Sequence, residues 1–299
     1  MVNIEKNSKR IPHMIETVRS IGSPRNVGTM AVESRIKLVN TVIMPSLLYN
    51  IEVIPVLTKQ EVKKLESIQQ MILSRMLEVP GSTPYMGLLL ETGFWTMEAR
   101  IAYKKLMLYH NIKHSEKERV IKKIMKVQEG EVRDGTWNGD VIKKIGYYGI
   151  NKEVDSCLKS EWKKEVKEKI GKKTEEQIRD ECGRMRKTRT ILNDQYILKD
   201  YLKLTNLTEA KDILRSRLHM TKLTCNYGHT DDPRCPLCGY GGRIETEHYF
   251  SKCPWTKHLA NVWKTTENDL YGSLEDMKRA KNHLMKIEVM MERYMSHNS

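Results

Sequence analysis

The chain has 299 residues, 39% of them hydrophobic and 30% charged, with 52 Lys and Arg against 38 Asp and Glu. The apolar share supports a packed core, no run approaches the roughly 18 apolar residues of a membrane span, and the opening MVNIEKNSKR lacks the apolar stretch of a secretory signal. The net charge of +14, with a pI of about 9.4, exceeds what solubility requires and points to a polyanionic partner, nucleic acid before membrane.

The predicted elements are helical, in keeping with 17 Met and 2 Phe, a composition that favours adaptable helix packing over a rigid β core. Val32, Ile36, Val39 and Ile43 form a stripe at helical spacing that is expected to stop near Pro45. Thr58 and Glu61 make a capping box opening a helix through Val62, Leu65, Ile68, Ile72, Met76 and Val79, closed by Pro80-Gly81. Thr83-Pro84 starts a short helix that Gly93 ends. Trp95-Thr96 opens the next, through Ile101, Leu108 and Ile112. Ser115 and Glu118 cap another, through Val120, Ile121, Ile124 and Val127. Residues 1–128 therefore read as one helical bundle.

Residues 129–150 are rich in turn pairs, Asp134-Gly135 and Asn138-Gly139 among them, and read as a linker. A hairpin turn at Asn138-Gly139 is the alternative, although its flanks alternate poorly. Residues 151–222 read as basic amphipathic helices. Val154, Leu158, Trp162, Val166 and Ile170 recur every fourth residue among Lys and Glu, a narrow stripe that must dock on something. Between Arg184 and Lys222 ten basic residues stand against four acidic ones. Arg184, Arg186, Lys187, Arg189, Lys211, Arg215, Arg217 and Lys222 are the candidate phosphate contacts, because a guanidinium fork grips phosphate in bidentate fashion. Any one of them alone reads better as a solvated surface charge.

Residues 223–265 hold the most specific pattern. Cys235 and Cys238 form a C-x₂-C pair, nine residues separate Cys238 from His248, and four separate His248 from Cys253. That spacing suits one tetrahedral Zn²⁺, and with all four positions taken by protein the site is structural rather than catalytic. Cys225 and His229 are reserve ligands. Tyr227, Tyr240, Tyr249, Phe250 and Trp255 surround the ligands. Most of these read as core around the metal, and Tyr240, in a Gly-flanked loop, is the candidate base-stacking platform. Cys157, Cys182 and Cys225 are too scattered for a disulfide framework, which indicates a reducing compartment, nuclear or cytoplasmic. A zinc deaminase reading fails on order: Glu247 precedes His248 directly, and Cys253 fills the metal position that catalysis needs open. Ser273 caps a last helix through Met277, Ala280, Leu284, Ile287 and Met291, within residues 266–299.

The order of these elements resembles the C-terminal portion of a non-LTR (LINE-type) retrotransposon reverse transcriptase. Pro45-Ser46-Leu47-Leu48-Tyr49-Asn50-Ile51-Glu52 resembles the "LLYG-E" segment that follows the palm in that family. Leu65-Glu66, Gln69-Gln70 and Met76 to Pro84 resemble its "LE…Q…LRxILG-P…TP" helix and loop, and Leu89 to Trp95 its "L-x-E-x-G" turn. Cys235, Cys238 and the run Glu245-Thr246-Glu247-His248 to Cys253 are similar to its terminal zinc-binding module. The resemblance covers about residues 10–112 and 190–265, and the final module is its specific part.

The resemblance implies a mainly α protein: a thumb-like helical bundle, basic helices, and a small Cys-Cys-His-Cys zinc knuckle holding one structural Zn²⁺. It implies binding of RNA or single-stranded DNA, with no membrane partner, alongside the rest of a reverse transcriptase. It also implies no enzyme activity for this chain, because the family's paired palm aspartates, which hold two Mg²⁺ ions, are missing. The sole Asp-Asp pair, Asp231-Asp232, sits in a polar turn, and the 46 residues after Cys253 lack an endonuclease pattern. The alternative reading is a zinc-knuckle protein-interaction module on a helical scaffold.

Overall fold

In the computed structural model, residues 31–298 are described except 117–118, 131–134, 152, 186, 193, 225–233 and 242–244. The elements among them are helical, with no strand, so the expected fold class holds. The stripe from Val32 to Ile43 is buried as expected, and the helix runs two residues past Pro45 before it ends at Leu47. α1 (Val32–Leu38) runs through a π turn (Val39–Ile43) into α2 (Met44–Leu47). Proline lacks the N–H of a helical bond and clashes with the carbonyl four residues back. A wider turn placed just before Pro45 relieves that clash and lets the helix continue.

α3 (Lys59–Leu77) opens on the expected capping box: the Glu61 amide donates to the Thr58 hydroxyl at 3.2 Å, and the Thr58 amide donates to the Glu61 carboxylate at 2.8 Å. The Thr58 amide and hydroxyl, both donating to the Glu61 carboxylate, hold it below its ordinary value. α4 (Tyr85–Thr92) ends at Gly93, whose φ of 67° few side-chain-bearing residues adopt. A Cβ there would also lie 3.0 Å from the backbone of Ile197 and Leu198, so glycine is needed for packing as well as for the turn. α5 (Met97–Lys113) starts at Thr96, whose hydroxyl accepts from the Ala99 amide.

α6 (Val120–Gly130) forms as expected, but Ser115 does not cap it: its hydroxyl donates to the Ile112 carbonyl at 2.7 Å, and Glu118 lies outside the described residues. The linker expected at 129–150 is corrected by α7 (Trp137–Tyr148), which also removes the hairpin alternative. Thr136 caps α7 by accepting from the Gly139 amide at 3.1 Å, and Gly149 closes it with φ 63°. Tertiary contacts outweigh the poor helix propensity of its glycines. Val141 is fully buried, Trp137 donates its indole N–H to the Glu52 carbonyl at 2.7 Å, and Asp140 pairs with the buried Lys105.

The amphipathic stripe starts later and extends further than its spacing implied: Val154 lies outside the helix, and Leu158 is exposed just before it. α8 (Lys159–Arg184) continues beyond Ile170 through buried Thr174, Ile178 and Cys182 and packs on α4 and α5. Trp162 is anchored by donating to the Leu106 carbonyl at 3.0 Å. α9 (Asp200–Leu204) and α10 (Leu207–Arg217) follow, then a π turn (His248–Lys252), α11 (Lys257–Val262) and α12 (Leu274–Asn298).

Three buried clusters result, and they do not follow chain order. The first joins Val32 to Ile101 with Ile178 to Met220, so the basic stretch completes the core of the first bundle. The second spans Ala99 to Ile170 and the third Leu223 to Met291. At the heart of the first lies an ion pair: Arg217, 1% exposed, with Glu91, 0% exposed. The guanidinium donates to Glu91 at 2.9 and 3.1 Å, pairs also with Asp194, and donates to the Leu270 carbonyl. Tyr201 donates its hydroxyl to the same Glu91 at 2.7 Å.

Removing one partner of such a pair leaves an uncompensated buried charge, which costs about 3–5 kcal/mol. Arg217→Ala and Glu91→Ala should each destabilise the chain by that order. The double change Glu91→Leu with Arg217→Met should cost less than the sum, as measured by urea denaturation. A pH dependence should accompany this from His219. Burial pulls its imidazole down from 6.5 to about 4, and its ring meets the Thr246 hydroxyl at 2.6 Å. The unfolded chain then binds more protons than the folded one between those values, so stability is full above 6.5 and falls as pH drops toward 4. His219→Asn, which tolerates the positive φ of 53° at this position, should flatten that slope when midpoints are compared at about pH 7 and pH 5.

Candidate metal centre and basic surface

The C-x₂-C pair sits on a tight loop closed by its own backbone. The Gly239 amide donates to the Cys235 carbonyl at 2.8 Å, and the Cys235 amide donates to the Tyr240 carbonyl at 3.0 Å. Gly239 takes a φ of 69°, the left-handed conformation that such a loop needs and that glycine adopts freely. The other two ligands come from the π turn His248–Lys252 and the residue that follows it. The Cys253 amide donates back to the His248 carbonyl, which brings a histidine and a cysteine five positions apart to one side of the turn.

The result is a single cluster. The ligand atoms of Cys235, Cys238, His248 and Cys253 all lie within 4.8 Å of one another, and His248 Nε2 is 3.5 Å from the Cys238 sulfur. Bond lengths of about 2.3 Å to sulfur and 2.0–2.1 Å to nitrogen place tetrahedral ligands about 3.5–3.8 Å apart, so a modest contraction closes the shell. The four residues are thus close enough to hold a metal ion. Without a cation, burial pushes the Cys235 thiol up to about 11, aided by the neighbouring cysteines, and burial lowers the His248 imidazole. A divalent ion among them reverses the thiol preference by stabilising thiolates.

The imidazole is also held by rings. Tyr240 stacks on His248 with centroids 5.3 Å apart and planes 23° off parallel, and Tyr249 meets it edge-on at 5.2 Å. Tyr249 is fully buried and donates to the Leu223 carbonyl, and Phe250 is buried against His283 of α12, so both belong to the core as expected. Tyr240 is 54% exposed, as a stacking platform requires. Trp255, 62% exposed, is the aromatic that its residue type disguised, since tryptophan ordinarily reads as core. Tyr227 and the reserve ligands Cys225 and His229 lie outside the described residues.

The candidate phosphate contacts divide. Arg184, Arg189 and Lys222 are exposed, and Lys187 is half-buried. Arg184 pairs with Asp180 and Glu181, and Lys222 with Glu292 at 2.8 Å, both at the surface. Lys211 lies 3.9 Å from Glu78, and Arg215 lies 3.9 Å from both Asp212 and Glu288 in a half-buried position. Arg217 is a correction: it is spent in the core on Glu91 and Asp194 and has no surface to offer a phosphate. Arg186 lies outside the described residues. With the geometry in place, no family model, curated protein or solved structure matches this chain.

Metal analysis of protein purified without chelator should find one metal ion per chain. Cys253→Ser should abolish stoichiometric binding, because it removes the one ligand that closes the shell from beyond the π turn. A Cys253→Ser protein that keeps a full equivalent of metal would refute the ligand set.

Proposed function

We propose that the chain binds RNA or single-stranded DNA through a zinc-stabilised module, and that it corresponds to the thumb-and-zinc-module portion of a LINE-type reverse transcriptase. In this reading it carries no polymerase or endonuclease site and works inside the cell, in the nucleus or cytoplasm. Among the described residues no helix is long and apolar enough to cross a membrane. The observation that carries the reading is the assembly of Cys235, Cys238, His248 and Cys253 directly beneath the exposed ring of Tyr240. Three thiolates and one imidazole suit zinc, a borderline-soft ion that takes S₃N tetrahedra without redox chemistry.

In this function the zinc fixes the loop, Tyr240 stacks on a base, and Arg184, Lys187, Arg189 and Lys222 track the phosphate backbone. The surface ion pairs of Arg184 and Lys222 do not oppose this. Exposed pairs are worth little in water, and a phosphate can take the carboxylate's place. Protein docking is the second reading, favoured by α6, where Val120, Ile124 and Val127 all stand exposed on one face.

Four phosphate contacts on a single strand give a log-affinity against log-salt slope of about −3. Arg184→Glu with Arg189→Glu should weaken binding about equally for all sequences, since phosphate contacts carry no base information. Tyr240→Ala should cost about 1–3 kcal/mol on single strands. Affinity that ignores salt and both substitutions would transfer the function to protein docking. For the reverse transcriptase assignment, the reading frame upstream of the coding segment should encode the Tyr-x-Asp-Asp palm motif.

A further inference from the structure

A cleft of about 560 Å³ opens between the π turn Val39–Ile43 and α2 on one side and α5 and α8 on the other. Trp95, Arg100, Tyr103, Lys104, Lys163 and Lys167 line it, and among the described residues no carboxylate does. The charges there are unevenly answered. Lys104 is neutralised at the edge by Glu52, 3.0 Å away. Lys163 and Lys167 stand exposed on successive turns of α8, and no ion pair engages either among the described residues. Cations four apart on one helix face repel each other, which is a local cost with no local gain.

Arg100 is the more telling group. Its guanidinium donates to the Asn40 side-chain oxygen at 2.7 Å and to the Trp95 carbonyl, and it lies 5.0 Å from the centre of the Phe94 ring. All three partners are neutral. Among the described residues no carboxylate pairs with it, and burial pulls it down from 12.5 to about 10. A half-buried cation held in one orientation by neutral partners is a preorganised acceptor for an anion. Beside it, Trp95 and Tyr103 form an edge-to-face pair with centroids 5.7 Å apart, an aromatic wall for the cleft.

We propose that this cleft binds a nucleotide unit, its phosphate held by Arg100, Lys163 and Lys167 and its base against Trp95 and Tyr103. The volume falls in the range of small-ligand sites, roughly 300–1,000 Å³. The choice of a nucleotide over another aromatic phosphate rests on the nucleic-acid reading above. The ligand has two sources, a free mononucleotide or one nucleotide of a strand, and separate titrations distinguish them.

The intact chain is titrated by calorimetry with uridine 5′-monophosphate, with uridine, with inorganic phosphate, and with a ten-nucleotide oligouridylate. The variant is Lys163→Glu with Lys167→Glu, both exposed, with circular dichroism as the folding control. Charge-assisted phosphate contacts predict that the variant binds the monophosphate at least about tenfold more weakly, and that uridine binds more weakly still. If only the oligomer binds and the variant weakens it by that factor, the source is a strand and the site stands. Inorganic phosphate binding as tightly as the monophosphate overturns the aromatic half and reduces the cleft to an anion site. Affinities for monophosphate and oligomer that are both unchanged in the variant overturn the proposal. Tyr240→Ala keeps this test apart from the zinc module. Monophosphate binding that survives it while oligomer binding never appears would sink the proposed function and leave the cleft standing.

Discussion

Arg217 carries its charge into the interior and meets Glu91 there, and the arrangement of the molecule turns on how that charge is satisfied. Glu91 comes from α4, Arg217 from the end of α10, Asp194 from the segment after α8, and the Leu270 carbonyl from the turn before α12. Tyr201 and Tyr271 flank the guanidinium at 5.6 and 5.2 Å. Burying such a pair gains little stability over an apolar one, but each donor and acceptor must be in place once it is buried. That requirement fixes where the C-terminal third sits on the first bundle. The same region depends on Gly93, because the Lys199 amide donates to the Glu91 carbonyl and the chain at Ile197 passes against the glycine's bare Cα.

The third core is small and rests on a different constraint. Leu223, Tyr249, Phe250 and Leu270 pack against Leu284 and Ile287 of α12, with Cys235 and Cys253 inside the same cluster. A cluster of this size, wrapped by irregular loops, would gain from an ion crosslinking the Cys235 loop to the π turn. His219 joins this part to the first core through its bond to Thr246, two residues before His248. The metal cluster and the Arg217 network are therefore linked by a few residues at the end of α10.

A net charge of +14 does not describe what the surface offers a partner. Many of the cations lie beside carboxylates, and Arg217 and Lys105 are inside. One unanswered group is local: Arg100, Lys163 and Lys167 stand around one cleft with no ion pair among the described residues. Two of those residues lie on a helix that the sequence marks only as amphipathic. The third is an isolated arginine more than sixty residues away in the chain. Folding brings them together, so no linear run of basic residues reveals the site.

What the sequence determined by itself are the features set by neighbours a few residues apart. The Thr58 capping box, the stop at Gly93 and the four ligand positions all follow from local geometry, and each appears where its spacing places it. The exposure of Tyr240 was legible too, because its loop position between glycines leaves one face of its ring to solvent even as the other stacks on His248. Tertiary structure alone decided what depends on distant partners. It turned the glycine-rich stretch at 137–148 into a helix by burying Val141 and fixing Trp137. It carried the first helix past Pro45 with a π turn. It also drew Arg217 out of the basic stretch to a glutamate 126 residues earlier. A buried charge and an exposed one are the same letter in a sequence; Glu91, Asp194 and the Leu270 carbonyl offset the cost of burying this arginine, and all of them are distant from it in the chain.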